Sequence, residues 1–175
     1  MPGSERDRSI VRRLAAEVAG IAALPVQAEK RDLWVRLNRL ERTRPLIHVQ
    51  ALDWNIWEEL IPQGSLQAED PFMRVQELAL RKRITCWGTF PDDRVVDDVV
   101  IAPVIIRGDS WSTGFGVSGQ VEHSKERSGA YAFVPVISSP EDILKIDANP
   151  QVSVDWETTQ RNVEILSELY AGILR

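Results

Sequence analysis

The sequence predicts an α/β fold, and three observations carry that expectation. Apolar residues recur at helical spacing in several stretches, short β-branched apolar runs lie between them, and 43% of the 175 residues are hydrophobic. A chain of this length and composition can bury a core of its own. With 27% charged residues and a formal net charge of -5, its surface is expected to be mixed in sign and mildly acidic.

The opening MPGSERDRSI is polar, and residues 1–9 are expected to be disordered or frayed. Ile10, Val11, Leu14, Val18 and Ile21 then share one helical face, which Pro25 interrupts. EKRDLWVRLNRLER sets Leu33, Trp34, Leu37 and Leu40 on one side and arginines on the other. Its stripe is wide enough for packing against the chain's own body, with helix dimerisation as the alternative. Residues 10–44 thus read as a helical extension.

Arg44 and Pro45 stop the second helix, and LIHVQAL follows as a short apolar run rich in branched residues. It is expected to be the first central strand, buried on both faces. DWNIWEELIP supplies a short helix or turn carrying Trp54 and Trp57. Asp70 and Pro71 form a helix start, because the carboxylate can accept from orphan amides and proline fits the first helical position. The helix should run to about Gly88 with Phe72, Val75, Leu78, Ala79 and Ile84 inward, and Cys86 near its buried end.

PDDRVVDD reads as an acidic turn, and VVIAPVIIRG as a second strand, with Pro103 implying an edge or a bulge. The glycine-rich run ending in VSGQVEH, the connector SKERSG and the run AYAFVPVI fit extended or hairpin structure. Ser139, Pro140, Glu141 and Asp142 open another helix, EDILKI. The final stretch places Trp156, Val163, Leu166, Tyr170 and Ile173 on one face. A helix of this kind ordinarily leads back to a strand, so the chain is expected to be one part of a larger structure.

Chemistry-bearing groups are sparse. Cys86 is the single cysteine, which excludes an intrachain disulfide and fits the cytoplasm. His48 and His123 stand in no metal-ligand spacing, so no metal is expected to be held by this chain alone. Cys86 with His48 could form a nucleophile pair only if the fold joined them, and a buried helical cysteine is the expected reading. STGFGVSG lacks the GK[ST] ending of a phosphate loop. Asp92, Asp93, Asp97 and Asp98 lack calcium-loop spacing and are expected to be a solvated loop. Nucleic acid is not an expected partner, because the basic runs SERDRSIVRR and RKR are flanked by acidic residues. Nor is a membrane, because no apolar stretch has the length of a span.

Position offers a better lead than motif. In a parallel barrel the C-terminal ends of strands face the active site, which would set Gln50, Asp53 and Trp54 at the rim. His48 alternates with Gln50 on the same side. These four residues are the candidate substrate-binding set, with catalytic residues unassigned.

The order of segments resembles the N-terminal part of the uroporphyrinogen decarboxylase superfamily, and more closely its bacterial corrinoid-dependent methyltransferase-like members. The resemblance is carried by EKRDLWVRLNRLERTRPLIHVQALD, EDPFMRVQELALRKRITCW, DDVVIAPVIIRGDSWSTGFGV and GAYAFVPVISSPEDILKI, and it extends from about Leu14 to Arg175. It implies the opening strands and helices of a (β/α)8 (TIM) barrel over residues 45–175, behind the helical extension, with the barrel incomplete in this chain. RPLIHVQALDW lacks the arginines that hold substrate carboxylates in the haem-pathway decarboxylases, which points away from that decarboxylation. The implied reaction is methyl transfer from a small methylated compound to a corrinoid or thiol carrier, with zinc and a corrinoid carrier belonging to the complete enzyme. The implied partners are the remaining part of the barrel in another chain, a second copy of this chain, and a corrinoid protein. The alternative is a non-catalytic interaction module that docks through its amphipathic helices on itself or on another chain.

Overall fold

A computed structural model describes residues 2–50, 54–108, 120–123, 131–135, 137–146 and 152–175. The fold is mixed α/β: five α-helices accompany two small antiparallel ribbons among the described residues. It divides into two compact units, Met1–Ile101 with Val163–Arg175, and Ala102–Asn162.

In the first unit, helix α1 (Glu5–Ala22) begins inside the stretch expected to fray. A reciprocal capping box explains the early start: the Ser4 hydroxyl accepts from the Asp7 amide at 3.1 Å, and the Asp7 carboxylate accepts from the Ser4 amide at 3.3 Å. Ile10, Val11, Leu14, Ala15 and Val18 are buried, four of them on the face read from spacing. Helix α2 (Pro25–Asn38) has proline at its first turn and ends before Leu40, which adopts φ 60°. Its expected apolar face is packed only in part: Leu33 and Trp34 are half-buried, while Leu37 and Leu40 are exposed, because the helix stops and turns before Leu40 can reach the core, and Gln27 is its one fully buried residue.

Helix α3 (Trp54–Leu60) forms where the short helix was expected. Helix α4 (Pro71–Thr89) is capped by Asp70, whose carboxylate accepts from the amides of Phe72 and Met73 at 2.9 and 3.1 Å. It packs against α1. Its buried face is rotated from the expected one: Met73, Glu77, Leu80 and Cys86 point inward, while Val75 and Ala79 are exposed. The rotation follows from Glu77, which is drawn inside to bind the amides of Gln67 and Ala68 at 2.9 and 2.8 Å and takes its helical neighbours with it. Helix α5 (Trp156–Tyr170) buries Leu166, Leu169 and Tyr170 at its C-terminal end, and Trp156 is exposed.

LIHVQAL does not form the expected central strand. Residues 46–50 carry no strand ladder, and His48, Val49 and Gln50 are exposed. Their backbone is held by the side chains of residues 92–94 and the Asp93 amide instead of by a strand ladder.

The second unit holds both ribbons. Strand β1 (Ile106–Gly108) pairs antiparallel with β4 (Val152–Val154), and β2 (Gln120–His123) with β3 (Tyr131–Val134). VVIAPVIIRG is thus a strand only at its last three residues, 106–108, since Pro103 supplies no amide to a ladder. The β2–β3 pair agrees with the hairpin expectation. Ser139 opens a 3-10 turn over Pro140–Lys145, again with a reciprocal cap from Asp142. The glycine-rich run 112–119 and all of SKERSG lie outside the described residues. No described helix is long and apolar enough to cross a membrane.

Candidate functional site

The segment from Arg44 to Gln50 is positioned by an acidic strap. The Asp93 amide donates to the Ile47 carbonyl at 2.7 Å, and the Asp93 carboxylate accepts from the Ile47 amide at 2.9 Å. One step along, the Asp92 carboxylate accepts from the Val49 amide at 2.9 Å, and the Arg94 guanidinium donates to the Val49 carbonyl. Asp93 also takes both terminal nitrogens of Arg44, at 2.8 and 2.5 Å.

Helix α2 holds the other side of the strap. Lys30 Nζ donates to the Asp92 carbonyl and Trp34 Nε1 to the Asp93 carbonyl, each at 2.7 Å, while the Val96 amide donates to Gln27 Oε1 at 2.9 Å. Positions 27, 30 and 34 share one helical face, so a single rigid element fixes five residues of irregular chain. Lys30 also lies 4.9 Å from the centroid of the Trp87 ring on α4. Gln27 is fully buried and its Nε2 finds no partner among the described residues, a cost tolerated where the Oε1 bond anchors the strap.

The doublets are therefore not a solvated loop. Asp92 and Asp93 are buried, Asp97 pairs with Arg83 at 3.0 Å, and Asp98 takes a bidentate pair from Arg175 at 2.9 Å. The Arg44 bond and the Ile47 amide hold the Asp93 carboxyl down at about 2 against the opposing effect of burial. Such a group stays charged wherever the protein is folded at moderate pH.

Of the candidate rim residues, the structure sets His48 and Gln50 on one edge of this segment, both exposed. The His48 ring meets Trp34 edge-on at 6.5 Å between centroids. Asp53 lies outside the described residues, as does the side chain of Trp54, whose backbone opens α3. Clefts of about 520, 660 and 380 Å³ on the first unit are lined by other residues. Cys86 is buried, its thiol pushed up by burial, and it shares no hydrogen bond with His48. His123 stands opposite Tyr131 in the β2–β3 register.

Sequence reasoning missed the residues that build this site: Gln27, Lys30, Arg44, Asp92 and Asp93. The available signal was weak. An Asp doublet set between a helix end and the apolar pair Val95–Val96 has a reason to turn inward only when main-chain amides await it.

No protein-family model, curated protein or solved structure matches this chain. Among the described residues, no three of His, Cys, Asp and Glu gather as a metal-binding group.

Proposed function

We propose that this chain is the N-terminal part of a uroporphyrinogen decarboxylase-like methyltransferase of (β/α)8 architecture. It contributes barrel wall and, through His48 and Gln50, part of the substrate rim for methyl transfer from a small methylated compound to a corrinoid or thiol carrier. The observation that supports this reading is the apolar surface of the Ala102–Asn162 unit. Ile106 is 65% exposed, Phe133 72%, Leu144 87% and Trp156 67%, within a unit whose described strands form two-stranded ribbons. Apolar surface of this extent belongs against another element, and two-stranded ribbons have open edges. The order of the sequence segments supports reading the covering part as the rest of the barrel.

Zinc in the complete enzyme would activate the thiol acceptor as a thiolate. The described residues offer it no ligand set. What this chain offers is placement: the strap holds His48 and Gln50, whose side chains can donate to or accept from a polar substrate.

The alternative, a non-catalytic module docking through its amphipathic helices, has less surface to use. The apolar face of α1 is buried within the first unit, as are Leu166, Leu169 and Tyr170 of α5.

The test mixes the chain with the polypeptide bearing the remaining barrel strands, zinc, cob(I)alamin and a panel of small methylated compounds, and follows formation of methylcobalamin. Neither part alone should turn over, and the mixture should. His48→Ala and Gln50→Ala should each raise KM at least severalfold. A folded, stoichiometric complex that transfers no methyl group would reject the proposal.

A further inference from the structure

On the first unit a cleft of about 520 Å³ opens between the last turn of α1, Arg31 of α2, residues 97–99 and residues 173 and 175. Ala19, Ala22 and Ala23 share one helical face and leave room that larger side chains would fill. With Val99 and Ile173 they give the cleft an apolar floor. Four charged residues line the rest, and three of them are committed. Asp98 takes Nε and Nη2 of Arg175 at 2.9 Å each, and Asp97 takes the Arg83 guanidinium at 3.0 Å. The Arg175 main chain is fixed too: its amide donates to the Asp98 carbonyl and its carbonyl accepts from the Val100 amide, both at 2.7 Å. Arg31 differs. It is exposed, and among the described residues its guanidinium enters no hydrogen bond and no ion pair. The Asp98 carboxyl is held below the usual carboxylate range first by Arg175, with a smaller share from Arg31, which stands near that pair without joining it. Arg83, Arg175 and Arg31 thus answer two carboxylates, and the positive charge in excess sits on Arg31.

We propose that this cleft binds a small organic monocarboxylate, with the carboxylate on Arg31 and the apolar body over Ala19, Ala22 and Ala23. Its size suits such a ligand, since small-molecule pockets run from about 300 to about 1,000 Å³. A guanidinium takes a carboxylate through two parallel N–H···O bonds, and Arg31 spends none of its donors on the described residues. Asp97 and Asp98 do not repel the anion as free carboxylates would, because each already holds an arginine. The carbonyl end of α1 opposes an anion with about half a charge, less than the whole charge on Arg31. The floor sets the other half of the ligand. Its apolar side chains favour an apolar body and offer nothing to a second charged group. Nothing in this proposal rests on the methyltransferase reading.

Three probes with one apolar body and different heads separate the contributions: octanoate, octanamide and octylamine, each titrated into the full chain and followed by heteronuclear NMR. Octanoate should shift the amides of Ala22, Ala23, Val99 and Ile173 saturably and bind at least tenfold tighter than octanamide. Octylamine, which would answer to the carboxylates instead, should bind no tighter than octanamide. Arg31→Gln should bring octanoate to the affinity of octanamide and leave octanamide as it was. Because Arg31 is exposed and bonds to none of the described residues, this variant should keep the wild-type melting temperature. Ala22→Leu fills the floor and should weaken octanoate and octanamide alike, which a charge effect alone does not do. Should Ala22→Leu lower the melting temperature, Arg31→Gln decides. Octanoate that leaves these amides unmoved, octanamide or octylamine that binds as tightly as octanoate, or an Arg31→Gln variant that keeps the preference for octanoate would each overturn the proposal.

Discussion

Asp93 grips Arg44 through both terminal guanidinium nitrogens, at 2.8 and 2.5 Å, and the same carboxylate accepts the Ile47 amide. One buried carboxylate thereby fixes the exit from the helical extension and the start of the His48 segment together. Arg44 is about half exposed, with 55% of its side chain in solvent, whereas Asp93 is buried, so the two partners are not of equal weight.

Removing the buried partner should cost more than removing the exposed one. Asp93→Ala strands the Ile47 amide as well as Arg44 and should destabilise the first unit by about 3 kcal/mol. Arg44→Ala should cost less, because water can reach its end of the pair. Urea denaturation of the two variants checks the order; a larger loss in Arg44→Ala would contradict it.

The acid limb of the stability curve should carry the mark of Asp93. Its carboxyl is held at about 2 in the folded chain by Arg44 and the Ile47 amide. A depressed carboxylate stabilises the fold above its ordinary pKa, and that contribution is lost as pH falls through the folded value. Asp7, held down chiefly by the Glu69 amide, acts in the same direction. So does Glu77, where the bonds from Ala68, Gln67 and Arg81 outweigh burial. Stability should therefore fall steeply from pH ~4 to pH ~2, and the gap between wild type and Asp93→Asn should close over that range. Urea midpoints measured at successive pH values test this; a gap that is constant with pH would be inconsistent with it.

Gly3 is constrained twice. Its φ of 74° lies in the left-handed region, and a Cβ there would stand 2.7 Å from Cγ of Met73, a fully buried residue. Gly3→Ala should destabilise by about 2 kcal/mol from backbone strain and overpacking together. Gly20→Ala, with open space around the added carbon, is the control and should be neutral or slightly stabilising. Thermal melts of the pair would refute the argument if both variants melted alike.

The Cys86 thiol should be inert in the native chain. Burial raises its pKa, and helix α4 carries it into the core of the first unit. Labelling by a disulfide reagent should proceed at the rate of unfolding and accelerate in urea. The methyl transfer proposed for the completed barrel should survive Cys86→Ala. Fast labelling of the native chain would reopen the reading of Cys86 as a nucleophile.

Helix positions were legible because their signals are local. Asp70–Pro71 and the apolar residues from Ile10 to Val18 fix α4 and the α1 face within a few residues of chain. The inward face of α4 was not legible, because it depends on Glu77 reaching amides of the loop before it. The same holds for LIHVQAL. Its branched residues read as a buried strand, yet its inner edge is satisfied by Asp92, Asp93 and Arg94, some 45 residues away in sequence, and no period in the segment announces that. The pairing of His48 with Gln50 on one edge was legible, since alternation needs only an extended backbone.

The exposed apolar residues of the Ala102–Asn162 unit are proposed to lie against the rest of a barrel. Amide hydrogen exchange of that unit, in the chain alone and after addition of the polypeptide proposed to bear the remaining barrel strands, tests this. In the isolated chain, exchange should be rapid at the ribbon amides that lie outside the β1–β4 and β2–β3 pairings, and in the mixture it should be strongly slowed at those amides. Unchanged exchange in a mixture that has formed a stoichiometric complex would contradict it.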